Sequence, residues 1–302
     1  MADTLIHLLV TLLFPPLLLG VIGKTKALFA GRVGPPLLQS YYDLGRLLRK
    51  GSVFSPTTTW LFRAGPIVTL VAIATAALLL PLGRHAAPLS FTGDLVLFAY
   101  LFGLARFFTT AAALDTGSSF EGMGAAREVT FACLAEPTLF FALLTLARLG
   151  GSISLTPLLA AVEPATWLRG GASLLLLVGG LFIVLLAENC RIPFDDPNTH
   201  LELTMIHEVM VLDHSGPLFG CILYGAALKL FVLGALFMHL VIPFTTGNAL
   251  ADWGLFLLAM LALAGVIGTV ESVMARLRLV RIPQLLVAAM IFTAFALVLL
   301  MR

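Results

Sequence analysis

Eight apolar stretches of bilayer-spanning length leave this chain little choice of fold class. They cover about residues 5–23, 64–83, 95–114, 129–147, 170–187, 217–244, 253–270 and 282–301. A helix needs about 20 apolar residues to cross the hydrocarbon core of a membrane. The runs are continuous rather than alternating, which excludes a closed β-barrel. The reading is therefore an all-α polytopic membrane protein with eight transmembrane helices, one integral membrane domain over residues 1–302. Pro15 and Pro16 should kink the first span and Pro137 the fourth, because proline removes a backbone donor. Hydrophobic residues make up 60% of the chain and charged ones 11%. That excludes a soluble enzyme and a disordered scaffold. A net charge of +2 gives no basic face for nucleic acid. The start, MADTLIHLL, has Asp3 and no basic region or cleavage site. It reads as a retained first helix and not a signal peptide.

With eight spans, both termini share a side. Lys24, Lys26, Arg32, Arg46, Arg49, Lys50, Arg63, Arg127, Arg191, Arg276, Arg278 and Arg281 fall on one side, 12 in all. Arg84, Arg148, Arg169 and Arg302, which make 4, fall on the other. The positive-inside rule puts the richer side in the cytoplasm and both termini outside. Only Asp3, Asp94, Glu163 and Asp252 of the 16 acidic residues belong to the outer side. The other 12 gather on the cytoplasmic side, most densely in the loop 188–216.

The cytoplasmic loops carry the chemistry. After the helix-breaking GRVGPP, residues 37–51 place Leu37, Leu38, Tyr41, Leu44, Leu47 and Leu48 at three- and four-residue steps. That is an amphipathic surface helix, over about 37–50, for the lipid surface or a partner subunit. The second loop is LDTGSSFEGMGAARE, residues 114–128. Glu136 follows Glu128 by about 12 Å along the next span and on a shared face. A carboxylate at that depth needs a partner, and Arg106 of span 3 is the candidate. Lys229 lies too deep in span 6 to snorkel, so it should pair with a carboxylate inside the bundle. Glu271 closes the intramembrane set. In the third loop a helix over about 199–213 would align His200, His207 and His214 on one stripe. HEVMV lacks the second histidine of H-E-x-x-H, and histidines about 10 Å apart cannot share one ion. No metal site is expected on this chain. The row reads as solvated or interfacial histidines, able to pass protons. Cys133, Cys190 and Cys221 form no C-x-x-C pair, so neither an iron–sulfur cluster nor a disulfide framework is expected, and packing is their default role.

Read together, GRVGPPLLQSYYD, LARFF, GAARE followed by AEP, AENCRIPFD and ESVMARLRL resemble the complex I subunit 1 family, which is NADH dehydrogenase subunit 1-like. The likeness spans essentially the whole chain. The segment LDTGSSFEGMGAARE is similar to the hydrogenase branch, which includes subunit 4 of formate hydrogenlyase and component C of hydrogenase-4. Ser119 stands where that branch usually has Pro, and Ala126 where it has Ser. DDPNTHLELTMIHEVMVLDHSG replaces the acidic run that many relatives carry after PFD.

The resemblance implies a membrane connector in a membrane-bound [NiFe] hydrogenase or formate hydrogenlyase complex of a bacterial or archaeal inner membrane. Such a chain is a non-catalytic subunit of an oxidoreductase complex. It would dock the hydrogenase large and small subunits and sit beside antiporter-like membrane subunits. The [NiFe] centre and the iron–sulfur clusters are expected in those partners, with no cofactor on this chain. The alternatives are the quinone-chamber subunit of a complex I-type enzyme and, third, a stand-alone ion transporter. For the latter no inverted repeat is visible. Glu128, Glu136, Glu188 and Asp195 match the carboxylates held to couple electron transfer to proton or sodium movement, and Glu202 matches more weakly. With Glu208, Lys229, Glu271 and Arg106 they form the expected path. Arg32, Asp43, Arg46, Arg49, Asp115, Glu121, Arg127, Asp196 and Asp213 are the expected docking residues.

Overall fold

A computed structural model of the chain describes residues 2–195, 205–243 and 245–301. Eleven α-helices follow one another among these residues. They are α1 (Ala2–Leu13), α2 (Pro15–Phe29), α3 (Gln39–Leu47), α4 (Trp60–Leu79), α5 (Asp94–Asp115), α6 (Ser119–Gly150), α7 (Leu155–Ala160), α8 (Pro164–Glu188), α9 (Gly216–Val241), α10 (Ala249–Val273) and α11 (Ile282–Leu300). Seven helices are long and apolar enough to cross a membrane, and α1 with α2, bent by 48° at their junction, makes an eighth when the pair is counted as one span. The protein is thus a multi-pass, all-α membrane protein, as its apolar runs require.

The break in the first span follows from its two prolines. Pro15 and Pro16 cannot donate to Thr11 and Leu12. Tyr224 of α9 donates its hydroxyl to those carbonyls, at 3.3 Å to Thr11 and 2.9 Å to Leu12. Tyr41 of α3 donates to the next carbonyl, Leu13. An orphaned carbonyl in apolar surroundings is costly, so the bend comes with its partners. At Pro137, by contrast, α6 continues without interruption, and no break forms where one was expected.

Helices α4 and α5, α6 and α11, α8 and α11, and α2 and α10 make the main packing pairs. Ser173 Oγ of α8 donates to the Ala296 carbonyl of α11 at 2.7 Å, a bond that small residues at the contact permit. The loops divide between two ends of the bundle. The segments after α2, α5, α8 and α10 meet at one end. Val53 N donates to Ser215 Oγ there at 3.1 Å, and Leu277 N to the Pro193 carbonyl at 2.9 Å. The segments after α4, α6 and α9 meet at the other, where Arg84 Nη2 donates to the carbonyls of Val162 and Pro243. These are the two sets of loops that the charge count separated.

Two local expectations are corrected. The segment 114–128 is mostly helical, because α6 begins at Ser119 and only Thr116–Ser118 form a turn. Gly117, at φ +71°, makes that turn possible. Gly124 stays inside α6 because a Cβ there would meet Val209 Cγ1 at 2.3 Å and the Ile206 carbonyl at 3.1 Å. The helix expected over 199–213 does not form in its described part. Residues 205–207 bend, and Glu208–Val211 make a single 3₁₀ turn. The reason is Asp195, whose Oδ2 accepts from Ile206 N at 2.9 Å and His207 N at 3.3 Å. Arg127 Nη1 also binds the Met205 carbonyl at 2.8 Å. His207 and His214 therefore share no helical stripe, and His200 lies outside the described residues.

Candidate functional site

Arg106 on α5 gathers the intramembrane charges. Its Nη1 donates to Glu136 and its Nη2 to Glu188 Oε1, while its Nε stands 3.5 Å from Glu128 Oε1. Lys229 Nζ of α9 lies 2.7 Å from Glu188 Oε2. The pairings expected for Glu136 and Lys229 are both present. Four helices contribute: α5, α6 twice through Glu128 and Glu136, the last residue of α8, and α9. A guanidinium suits this position because its forked donors can serve several carboxylates at once. The Arg106 and Glu188 side chains are 10% and 5% exposed, so each needs the other to offset desolvation. Glu136 keeps 42% of its side chain uncovered and opens to the outer surface of the bundle.

Nearer the loops a second group of pairs continues the network. The buried Glu271 carboxylate lies 2.9 Å from Lys26 Nζ and 3.4 Å from Arg191 Nη1. Asp195 Oδ1 lies 2.8 Å from Arg276 Nη2. A small cavity of about 80 Å³ reaches from apolar Pro66, Ile73 and Phe102 to Arg106, Glu188 and Lys229. A larger one of about 530 Å³ is lined by Lys26, Arg191, Glu208 and Glu271. Asn189, Cys190, His207 and His214 line both, so charged groups edge a continuous space. Burial lowers the pKa of His207, against the raising effect of Glu128, and both histidines here favour the neutral form. His214 stacks on Phe62 with ring centroids 3.9 Å apart.

The docking candidates divide. Arg32, Arg46, Arg49 and Asp213 are exposed at the loop end. Asp43 accepts from Gln39 Nε2 at 2.9 Å within α3. Three others make bonds inside the fold. Glu121 is fully buried and its Oε1 accepts from Asp213 N at 3.0 Å. Asp115 accepts from Thr59 N at 2.7 Å and Phe62 N at 3.2 Å, capping α4 across the turn. Arg127 holds the Met205 carbonyl. Asp196 and Glu202 lie outside the described residues.

One member of the site escaped the sequence reading. Cys190, expected only to pack, follows the end of α8 at φ +50°, a left-handed conformation that favours glycine. Cys190 N donates to the Ala187 carbonyl and Arg191 N to the Leu186 carbonyl, the pair of bonds that closes a helix with a Schellman turn. This places the thiol beside Glu128 and His207, the ligand-type atoms of all three lying within 4.8 Å of one another. Burial pushes that thiol well above its ordinary pKa. Three distant segments supply the trio, so no spacing in the sequence announces it. A cysteine directly after a helix end was the available signal.

Comparison with known proteins gives consistent results. The family model described as NADH dehydrogenase matches residues 2–302. Formate hydrogenlyase subunit 4 of Escherichia coli (strain K12) is 33% identical over 97% of this chain and 96% of its own length. Hydrogenase-4 component C of the same organism is 32% identical over 80% of this chain and 75% of its own. A subunit of the NADH-quinone oxidoreductase of Syntrophotalea carbinolica is 25% identical over 92% of this chain and 91% of its own. A chain of the membrane-bound sulfane sulfur reductase, an archaeal respiratory membrane complex, shares the fold with a TM-score of 0.83. It covers 99% of this chain and 100% of its own at 23% identity.

Proposed function

We propose, from the premise that this chain belongs to the NADH dehydrogenase subunit 1-like family, that it is the membrane connector of a hydrogenase-type respiratory complex. In this reading it docks a cytoplasmic redox arm that carries the [NiFe] centre and the iron–sulfur clusters. It couples electron transfer in that arm to proton or sodium movement in adjacent antiporter-like subunits. The setting is the cytoplasmic membrane of a bacterium or archaeon, with both termini outside. The observation that carries the reading is the Arg106 network. Glu128, Glu136 and Glu188 share one guanidinium, and Lys229 binds Glu188 from the far side. Three carboxylates around two cations leave one excess negative charge, which a proton or a small shift of either cation can redistribute. Glu271 and Asp195 extend the row toward the loops, and the open side of Glu136 faces where a neighbouring membrane subunit would continue it. The identity to formate hydrogenlyase subunit 4 along nearly the full chain supports the hydrogenase branch.

The test uses the assembled complex in sealed proteoliposomes. Glu136→Gln and Glu188→Gln should each abolish ion movement driven by hydrogen evolution, measured with an entrapped pH dye or by sodium flux. Ion movement at the parental level in both variants would reduce the chain to an anchor. Co-purification of a large subunit with four metal-binding cysteines is the expected partner result. A second reading, a quinone-chamber subunit, is favoured by one feature, the apolar end of the cavity at Pro66, Ile73 and Phe102. Inhibitor-sensitive quinone reduction without hydrogen evolution would select it.

A further inference from the structure

We propose that Glu128, Cys190 and His207 form a binding site for a divalent transition-metal ion of the zinc type, with a water as fourth ligand.

The geometry is close to what such an ion needs. One sulfur, one imidazole nitrogen and one carboxylate oxygen lie within 4.8 Å of one another. Ligands around a tetrahedral zinc stand roughly 3.3–3.8 Å apart, so the three must close by about 1 Å. Side-chain rotation can supply that, since each residue is only partly buried and edges open space. The mixture of sulfur, nitrogen and oxygen donors is the one that borderline divalent ions take. Three protein ligands leave a fourth position open, and the cavity supplies it. Asn189 Oδ1 lines the same cavity and is buried without a hydrogen-bond partner among the described residues. It can accept a hydrogen bond from a metal-bound water.

Existing bonds do not compete strongly. The imidazole of His207 makes no hydrogen bond among the described residues; only its backbone N–H does, to Asp195. Of the three carboxylates on Arg106, Glu128 is the most distant at 3.5 Å. Arg106 stays paired with Glu136 and Glu188 if Glu128 turns to an ion. The charges also balance. The three carboxylates outweigh Arg106 and Lys229 by one negative charge. Binding releases the thiol proton to solvent, and the resulting thiolate adds a second, which a divalent ion neutralises. An occupied site would hold Glu128 away from the network around Arg106, so the ion would act as a brake on that carboxylate. The site is argued from the trio itself and stands whether or not the connector reading does.

The experiment uses the full-length chain in lipid nanodiscs, titrated with Co²⁺ as a coloured substitute for Zn²⁺. One Co²⁺ per chain should bind and produce a sulfur-to-cobalt charge-transfer band, which added Zn²⁺ removes. Cys190→Gly should lose the band. It should also fold, because glycine adopts the left-handed conformation freely. Its thermal midpoint should equal or exceed the parent's. His207→Ala should weaken Co²⁺ binding by more than about tenfold. No charge-transfer band in the parent, or an undiminished band in a folded Cys190→Gly, would overturn the proposal.

Discussion

The two ends of the bundle handle charge differently. At the end holding Arg84, charged side chains bind neutral groups of the loops. Asp94 is fully buried and accepts from Ser154 Oγ at 2.9 Å and Leu155 N at 2.6 Å. Asp252 accepts from Thr246 N at 2.8 Å, and Arg84 donates to two carbonyls. Each of these three charges is held by fixed groups of the loops. At the other end Asp115, Glu121 and Arg127 clamp backbone groups in the same way, but Arg106, Glu188 and Glu271 each touch two or more opposite charges. A charge on a backbone group locks a loop. A charge among several mobile charges has other partners within reach. The same residue types thus make clamps at both ends and, at one of them, a shared network as well.

This contrast can be broken by mutation. The largest effect is expected for Arg106→Leu, which strips the shared cation from three carboxylates. Removing one partner from a buried network costs about 3–5 kcal/mol. The check is chemical denaturation of the solubilised chain, and a loss below about 1 kcal/mol would show that the carboxylates do not depend on it. Asp94→Asn at the opposite end should cost about 1–3 kcal/mol through its bonds to the start of α7. Ion coupling in the assembled complex should be unaffected; a coupling defect would erase the distinction between the ends. Asp115→Asn weakens a cap on α4 and should cost about 1 kcal/mol, read as a lower thermal midpoint. The smallest effect concerns His214, whose pKa burial lowers from 6.5. Its unfolded form takes up the proton first, so its contribution is complete above pH 6.5 and declines as pH falls through that value. His214→Phe keeps a ring against Phe62 and should flatten the stability profile between pH 7 and about 5. A profile as steep as the parent's would assign the slope to another group.

The membrane architecture was legible because bilayer spanning demands long apolar runs that few other folds carry. The bend at Pro15 and Pro16 was legible too, since two missing donors leave two carbonyls without partners. Arg106 with Glu136 and Lys229 with a carboxylate followed from the cost of an isolated charge in apolar surroundings. What escaped the sequence was set by tertiary contact. Asp195 captures the backbone of residues 206–207 from eleven residues away, so the local pattern for a helix over 199–213 was overruled. Gly122 and Gly124 looked like loop residues, yet α6 runs through both, with Gly124 small because Val209 packs against it. Cys190 read as packing because its left-handed turn is visible only once α8 ends there.

The broken first span gives the surface helix α3 a direct line to the interior. Tyr41 fastens α3 to the last carbonyl before the break, and Tyr224 fastens the two before it to α9. In α1, the His7 imidazole meets the Ala77 carbonyl of α4 at 3.1 Å. In α2, Lys26 meets Glu271 of α10. Both halves also reach α10, α1 through the ring contact of His7 with Trp253 and α2 through Lys26, so α10 spans a break whose freed carbonyls are filled by hydroxyls of α3 and α9.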